Sequence, residues 1–218
     1  MSCQKFKTTR GSLSRAALRF ALAVAVIFAI QALRPLNAEV VLVLGDSLSA
    51  GYGIALKDGW VSLLAKRLGG AHEVVNASIS GDTTAGGVQR IGPVLARHRP
   101  DVVIVELGGN DGLRGLSLGE LERNLGLIVE RSLAAGARVV LVGNHIPPNL
   151  GPVYAKRYHR LHFDVAKRYD LALVPFLLDG VATETDLMQG DGIHPKAEGQ
   201  PRMLENIWRV LAPLLTNP

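Results

Sequence analysis

A serine that follows an apolar run is the first candidate for chemistry in this chain. Residues 40–44 are all apolar and read as a buried strand, and Gly45-Asp46-Ser47 comes directly after them. A serine at the carboxyl end of a buried strand points into the crevice where open α/β sheets bind ligands. It can act as a nucleophile if a base reaches it. The structural alternative is that Ser47 only caps the next helix.

Three further polar stretches stand where later predicted strands end, or near the carboxyl terminus. They are Ser78–Asp82, Gly108–Asp111 and Asp191–Pro195. Each stretch taken by itself has a structural explanation, since glycine makes turns and asparagine can hydrogen-bond its own backbone. Together with the serine they supply what acyl transfer needs: a base, a carboxylate that orients it, and donors for an oxyanion.

The spacing within these stretches suits that chemistry. A short Asp191-x-x-His194 turn can bring a carboxylate and an imidazole together. The backbone N–H groups of Ser47 and Gly81 and the side-chain amide of Asn110 could converge on one point as oxyanion donors.

Five other histidines compete for the role of base. We expect four of them to be surface or packing residues: His72, His98, His159 and His162. The serious rival is His145, which follows the fourth predicted strand and could face the same crevice. Asp191 favours His194 as the base, and His145 could instead line an acyl site.

The order of the elements predicts how these residues are positioned. Apolar runs that read as strands alternate with helical patterns of ten or so residues, which indicates a parallel sheet with right-handed crossovers. The predicted strands are 40–44, 72–77, 101–107, 138–142 and 171–175. The predicted helices are 60–68, 83–98, 117–135, 153–169 and 199–215. We therefore expect one α/β domain of three layers, α/β/α, with a flavodoxin-like five-stranded parallel sheet.

The first 38 residues differ in composition from the rest. They contain six of the 24 Lys and Arg residues and no acidic residue, and residues 20–33 are apolar except for Gln31. That pattern predicts an export signal over 1–38, with a retained anchor as the lesser alternative, and a catalytic domain over 39–218. We expect an exported protein, periplasmic or secreted, that meets a membrane only through this leader or a lipid substrate.

The remainder carries 18 basic against 19 acidic side chains, so the charge gives no evidence for nucleic-acid binding. No cluster of three zinc ligands is visible in the sequence. The Gly45–Gly53 loop lacks the lysine and the glycine spacing of nucleotide-binding loops. We expect no cofactor and no metal ion.

The four polar stretches, in their order and spacing, resemble the blocks of the GDSL esterase/lipase family, the SGNH hydrolases. The matching residues are Gly45-Asp46-Ser47-Leu48, Gly81, Gly108-x-Asn110-Asp111 and Asp191-x-x-His194. More narrowly, VVNASISGDTTAGG, VELGGNDGLRG and DGIHP resemble the periplasmic thioesterase, lysophospholipase and arylesterase group of that family. The resemblance implies Ser47 as nucleophile, His194 as base and Asp191 as its partner. It also implies an oxyanion hole of Ser47, Gly81 and Asn110.

These observations predict a monomeric serine hydrolase that cleaves carboxylic esters and thioesters of acyl chains, lysophospholipids among them. Candidate substrate-binding residues are Leu113, Leu116, His145 and Pro148. The first two belong to the loop 112–118, which we expect to be mobile because Gly112 and Gly115 permit hinge-like changes of the backbone. Leu150 stands where the family resemblance implies a tyrosine, which affects substrate preference more than catalysis. Two alternatives stay open: a carbohydrate esterase (deacetylase) of the same fold, and a non-catalytic flavodoxin-like binding module.

Overall fold

Five parallel strands form a single sheet in the computed structural model, which describes residues 38–146 and 150–215. The strands are β1 Val40–Gly45, β2 Glu73–Asn76, β3 Val102–Glu106, β4 Arg138–Val142 and β5 Ala172–Val174. Their order is β2-β1-β3-β4-β5, and each neighbouring pair is parallel. The flavodoxin-like parallel sheet expected from the sequence is thereby confirmed. The predicted leader lies outside the described residues, apart from its last position.

Helices connect the strands and cover both faces of the sheet. The α-helices are α1 Ser47–Ala50, α2 Trp60–Leu68, α3 Thr84–His98, α4 Gly109–Leu113, α5 Leu118–Ala134, α6 Pro152–Arg168 and α7 Gln200–Leu211. Thr83 and Ser117 cap α3 and α5 with their hydroxyl groups. Within the described ranges, no helix is long and apolar enough to cross a bilayer.

The core consists of two apolar layers, one on each side of the sheet. Val41 and Val43 of β1 face a layer built with α2 and α7, whereas Leu42 and Leu44 face a layer built with α3, α5 and α6. Successive residues of a strand point to opposite faces, so a strand buried on both sides must be apolar at every position. This requirement explains why β1 and β3 are continuous runs rather than alternating ones.

Several element boundaries differ from the sequence expectation. The strands β2, β3 and β5 are each one residue shorter at both ends than predicted. The last α-helix stops at Leu211 and continues as a short 3-10 turn. The short helices α1 and α4 were missed, because four or five residues are too few to show a helical period.

The strand order creates the crevice in which a site can form. β1 lies between β2 and β3, so the chain leaves β1 in one direction along the sheet and later returns to its other side. Loops at the carboxyl ends of strands separate at such a reversal, which is where open α/β sheets bind their ligands. All the candidate blocks except Asp191-x-x-His194 follow β1, β2 or β3 directly.

Candidate active site

The turn that carries Ser47, the candidate nucleophile, joins β1 to the short helix α1 and is called the nucleophile turn below. Asp46 caps this helix: its Oδ1 accepts a hydrogen bond from the Leu48 N–H at 3.1 Å. Ser47 is the first residue of the helix. Gly45 must be a glycine here, because an added Cβ would stand 2.7 Å from Ser49 Oγ and 2.8 Å from Glu106 Oε2. The turn therefore positions the serine at the carboxyl edge of the sheet.

Ser47, His194 and Asp191 form a continuous hydrogen-bonded chain. His194 Nε2 lies 2.9 Å from Ser47 Oγ, and His194 Nδ1 lies 2.6 Å from Asp191 Oδ2. The second carboxylate oxygen of Asp191 accepts the backbone N–H groups of Ile193 at 2.9 Å and His194 at 3.0 Å. The carboxylate thus holds both the backbone and the ring of the histidine, which leaves Nε2 directed at the serine.

These hydrogen bonds also keep the carboxylate charged. The backbone N–H of His194, its ring N–H and the Ile193 N–H together lower the pKa of Asp191 to about 2. An ionised Asp191 accepts a hydrogen bond from Nδ1–H and so selects the tautomer with a free lone pair on Nε2. That is the tautomer a base must have to take the serine proton.

The rival histidine, His145, is placed differently. Its ring packs against His159, with ring centroids 3.8 Å apart, and against Phe176, at 4.3 Å. Burial lowers its pKa, with a further contribution from His159. His145 lines the same cleft as Ser47, so its position suits contact with a substrate rather than with the nucleophile.

The two remaining oxyanion candidates lie beside the serine. Gly81 has a φ of +79°, which glycine adopts without strain, and its carbonyl accepts a hydrogen bond from the Arg114 guanidinium at 3.0 Å. Asn110 lies in α4 and donates from Nδ2 to Asp46 Oδ2 at 3.1 Å. Ser47, Gly81 and Asn110 all line one cleft.

A carboxylate next to Asn110 ties the oxyanion segments together. Asp111 is 4% exposed, and it accepts the Thr84 hydroxyl at 2.6 Å and the Thr84 N–H at 2.9 Å. Thr84 begins α3, directly after the loop that holds Gly81. The Asp111 side chain therefore fixes the loop after β2 to the loop after β3, a role that sequence reasoning did not assign.

A cleft of about 620 Å³ opens beside the serine. Much of its wall is apolar: Leu48, Leu113, Ile146, Phe176, Leu178, Ala182, Met188 and Ile193. Leu113 and His145 thus lie where the sequence proposed substrate contacts. Leu116 is not part of the lining, and Pro148 falls outside the described residues.

Two buried carboxyl groups, one within the nucleophile turn and one at the end of β3, were not identified as a pair by the sequence analysis. Asp46 and Glu106 are each 2% exposed. Burial raises the pKa of Asp46 to about 6, against the lowering effect of its hydrogen bonds from Leu48 and Asn110. Burial and the adjacent Asp46 carboxylate raise the pKa of Glu106 well above its ordinary value. The signal in the sequence was a single acidic residue, Glu106, at the end of the otherwise apolar run 102–105.

Comparison with known proteins gives the class. Residues 43–202 match the model of the GDSL-like Lipase/Acylhydrolase family. The chain is 50% identical over 181 residues to Esterase TesA of Pseudomonas aeruginosa, covering 82% of this chain and 90% of that protein. It is 39% identical over 184 residues to Thioesterase 1/protease 1/lysophospholipase L1 of Escherichia coli K12, covering 84% and 88%.

A solved structure agrees with these relatives. The crystal structure of TesA superposes with a TM-score of 0.79 at 49% sequence identity, covering 81% of this chain and 100% of that one. The chain belongs to the GDSL-like lipase/acylhydrolase family, and it is a hydrolase of acyl-ester bonds.

Proposed function

We propose that this enzyme hydrolyses carboxylic esters and thioesters of acyl chains through an acyl-enzyme formed on Ser47. The observation that carries the proposal is the hydrogen-bonded chain Ser47–His194–Asp191 at the edge of a largely apolar cleft. The names of the relatives, which include esterase, thioesterase and lysophospholipase activities, support the substrate class.

This geometry supports the following steps of the proposed reaction. His194 Nε2 takes the proton of Ser47 Oγ while the oxygen attacks the acyl carbon. The oxyanion then accepts hydrogen bonds from the N–H groups of Ser47 and Gly81 and from the Asn110 amide. The protonated His194 gives its proton to the departing alkoxide or thiolate. A water molecule, deprotonated by His194, releases the acid and restores the serine.

The cleft lining favours an acyl chain over a sugar. A hydrocarbon chain gains about 0.8 kcal/mol for each methylene that it buries, whereas sugar hydroxyls would lose hydrogen bonds to water against an apolar wall. Long-chain esters, acyl thioesters and lysophospholipids share this chemistry. We propose further that the enzyme acts as a monomer, and that residues 1–38 export it.

The test is active-site kinetics on a p-nitrophenyl ester. The wild-type enzyme should release p-nitrophenol in a burst that is stoichiometric with enzyme if deacylation is slower than acylation. Ser47→Ala and His194→Ala should each lower kcat by roughly 10⁶, and Asp191→Asn should cost less than either, because members of such a unit act together.

His145→Ala is the matched histidine variant. It should keep most of the activity on a short ester, since its ring contacts His159 and Phe176 rather than the serine. A dead His145→Ala enzyme beside an active His194→Ala enzyme would show that the base is assigned to the wrong histidine.

A further inference from the structure

The last residue of β3, Glu106, is an acid in an otherwise apolar strand. It pairs in register with Gly45, the last residue of β1, and its side chain is shielded from solvent. The four preceding residues of β3 are apolar and buried. Burying a carboxyl group costs free energy that an apolar side chain of similar volume would not. The mechanism above gives Glu106 no part, so its position needs another explanation.

The contacts of Glu106 are with the nucleophile turn. Its Oε2 accepts a hydrogen bond from Ser49 Oγ at 2.6 Å and a longer one from the Asp46 N–H at 3.3 Å. Asp46 and Ser49 lie on either side of Ser47 and its neighbour Leu48. One carboxyl oxygen therefore holds the turn that carries the nucleophile at two points.

The chain of contacts continues to the oxyanion hole. Asp46 donates its backbone N–H to Glu106 Oε2 on one side, and its own Oδ2 accepts a hydrogen bond from the Asn110 amide at 3.1 Å. From the other edge, Asn76 Nδ2 donates to the Ser49 carbonyl at 2.9 Å. A displacement of the Glu106 carboxyl would thus move Asp46 and, with it, the amide that faces the developing oxyanion.

Charge suits such a role. Burial and the Asp46 carboxylate favour the neutral form of Glu106, since they raise its pKa well above the ordinary range. A neutral carboxyl still accepts the Ser49 hydroxyl and the Asp46 N–H, and its own hydroxyl can donate to the Asp46 carboxylate. An amide of the same shape offers the same acceptors and donors.

We propose that Glu106 is a positioning residue for the esterase reaction: through Ser49 and Asp46 it sets the nucleophile turn and the Asn110 amide in their reactive geometry. The inference rests on the proposed function, because it concerns the same site. It assigns no proton transfer to Glu106, which acts only through its hydrogen-bonding partners.

The first test compares two substitutions of similar volume with p-nitrophenyl acetate as substrate. Glu106→Leu removes the acceptor and should lower kcat by about 10- to 100-fold with little change in KM, the cost of a small displacement at a reacting centre. Glu106→Gln keeps an oxygen acceptor and should retain kcat within about threefold of the wild type, because the amide oxygen can accept the same hydrogen bonds from Ser49 and Asp46.

A double-mutant cycle separates positioning from general destabilisation. If Glu106 acts through Asn110, the loss from Glu106→Leu should be much smaller in an Asn110→Ala background than in the wild type. Val129→Ala, a buried change in α5 remote from the turn, is the control: it lowers stability but should leave kcat unchanged in both backgrounds. Ser49→Ala removes the hydroxyl that donates to Glu106, and it replaces Glu106→Leu as the test if that variant does not fold. It should lower kcat, but by less than Asn110→Ala does.

Three results would overturn the proposal: a folded Glu106→Leu enzyme with wild-type kcat, a Glu106→Gln enzyme as impaired as Glu106→Leu, or losses that simply multiply in the cycle. If Glu106→Leu does not fold, a Ser49→Ala enzyme with wild-type kcat overturns it too. Failure of the proposed function looks different, because the wild-type enzyme itself would then lack activity that depends on Ser47.

Discussion

At the scale of single residues, the carboxyl groups around the serine differ in charge because they differ in exposure and partners. Asp191 has a side chain that is 39% exposed, and three N–H groups stabilise its charge. Glu106 is shielded from water, and burial together with the Asp46 carboxylate raises its pKa. Hydrogen bonds thus favour the anion at Asp191, beside the proposed base, whereas burial favours the neutral form of Glu106, next to the proposed nucleophile.

Asn110 should be a transition-state residue. Its amide lines the cleft beside Ser47 and is oriented by Asp46, so it can strengthen its bond when charge develops on the substrate oxygen. Asn110→Ala should lower kcat by about 10²–10³, or roughly 2.7–4 kcal/mol, with little change in KM. Steady-state kinetics on a short ester check this, and a variant that raises only KM would make Asn110 a ground-state binding group.

At the scale of elements, the segment after β3 divides its two leucines between different surroundings. Leu113 ends α4 and lines the cleft. Gly115 then turns the chain with a φ of +63°. The Leu116 N–H donates to the Asp111 carbonyl at 2.9 Å, and the Leu116 carbonyl accepts the Tyr154 hydroxyl of α6 at 2.8 Å. The backbone of Leu116 is therefore tied to its neighbours, while its side chain is 43% exposed outside the cleft.

This arrangement predicts different effects of two matched substitutions on acyl-chain preference. Leu113→Ser should flatten the rise of kcat/KM with chain length, which is at most about fourfold per methylene buried, or 0.8 kcal/mol. Leu116→Ser should keep the wild-type slope. Kinetics on p-nitrophenyl esters of increasing length measure both slopes, and a short ester should be unaffected by either change. Equal slopes for Leu113→Ser and the wild type would place the acyl chain elsewhere.

At the scale of the whole molecule, a histidine within the core links stability to pH. His162 of α6 has no exposed surface; its Nδ1 contacts the Tyr158 carbonyl at 3.3 Å, and its Nε2 has no hydrogen-bond partner within the described part of the chain. Burial lowers the pKa of His162 to about 4, and the nearby His159 and His145 add to this effect. The folded protein therefore keeps this ring neutral at pH values where the unfolded chain protonates it.

The direction in which stability changes with pH follows from the number of protons that each state binds. Between the ordinary histidine pKa near 6.5 and about 4, the unfolded chain binds a proton at His162 that the folded chain does not, so stability falls as pH falls. The loss approaches the order of 3 kcal/mol near pH 4. The raised pKa of Asp46 changes stability in the opposite direction over the same pH range. The contribution of His162 must therefore be measured as the difference in free energy of unfolding between the wild type and a His162 variant.

Urea unfolding of wild type and His162→Leu between pH 7 and 4.5 isolates that difference. The free energy of unfolding of the wild type should fall relative to the variant as pH decreases. Leu161→Ala, a buried change at a residue that does not titrate, should shift stability by a constant amount at every pH. A pH-independent difference between wild type and His162→Leu would show that the ring titrates with the same pKa in the folded and unfolded states.

The sequence by itself determined the fold class and grouped the residues of the site. Apolar runs alternating with helical periods are local patterns, and carboxyl ends of parallel strands meet at one edge whatever the details of packing. The blocks that hold Ser47, Gly81 and Asn110 each follow a strand, and Asp191 precedes His194 by three residues. Their grouping therefore needed no knowledge of long-range contacts, and the structure brings them to the same cleft.

Tertiary structure alone decided what depends on contacts between distant segments. The sequence could not tell that Glu106 lies under Ser49, 57 residues away, or that Asp111 binds Thr84, because such hydrogen bonds depend on strand register. Nor could it separate Leu113 from Leu116, since both are leucines in one loop and only the turn at Gly115 directs them apart. Local pattern fixes which elements form, whereas packing fixes which side chains share a buried space.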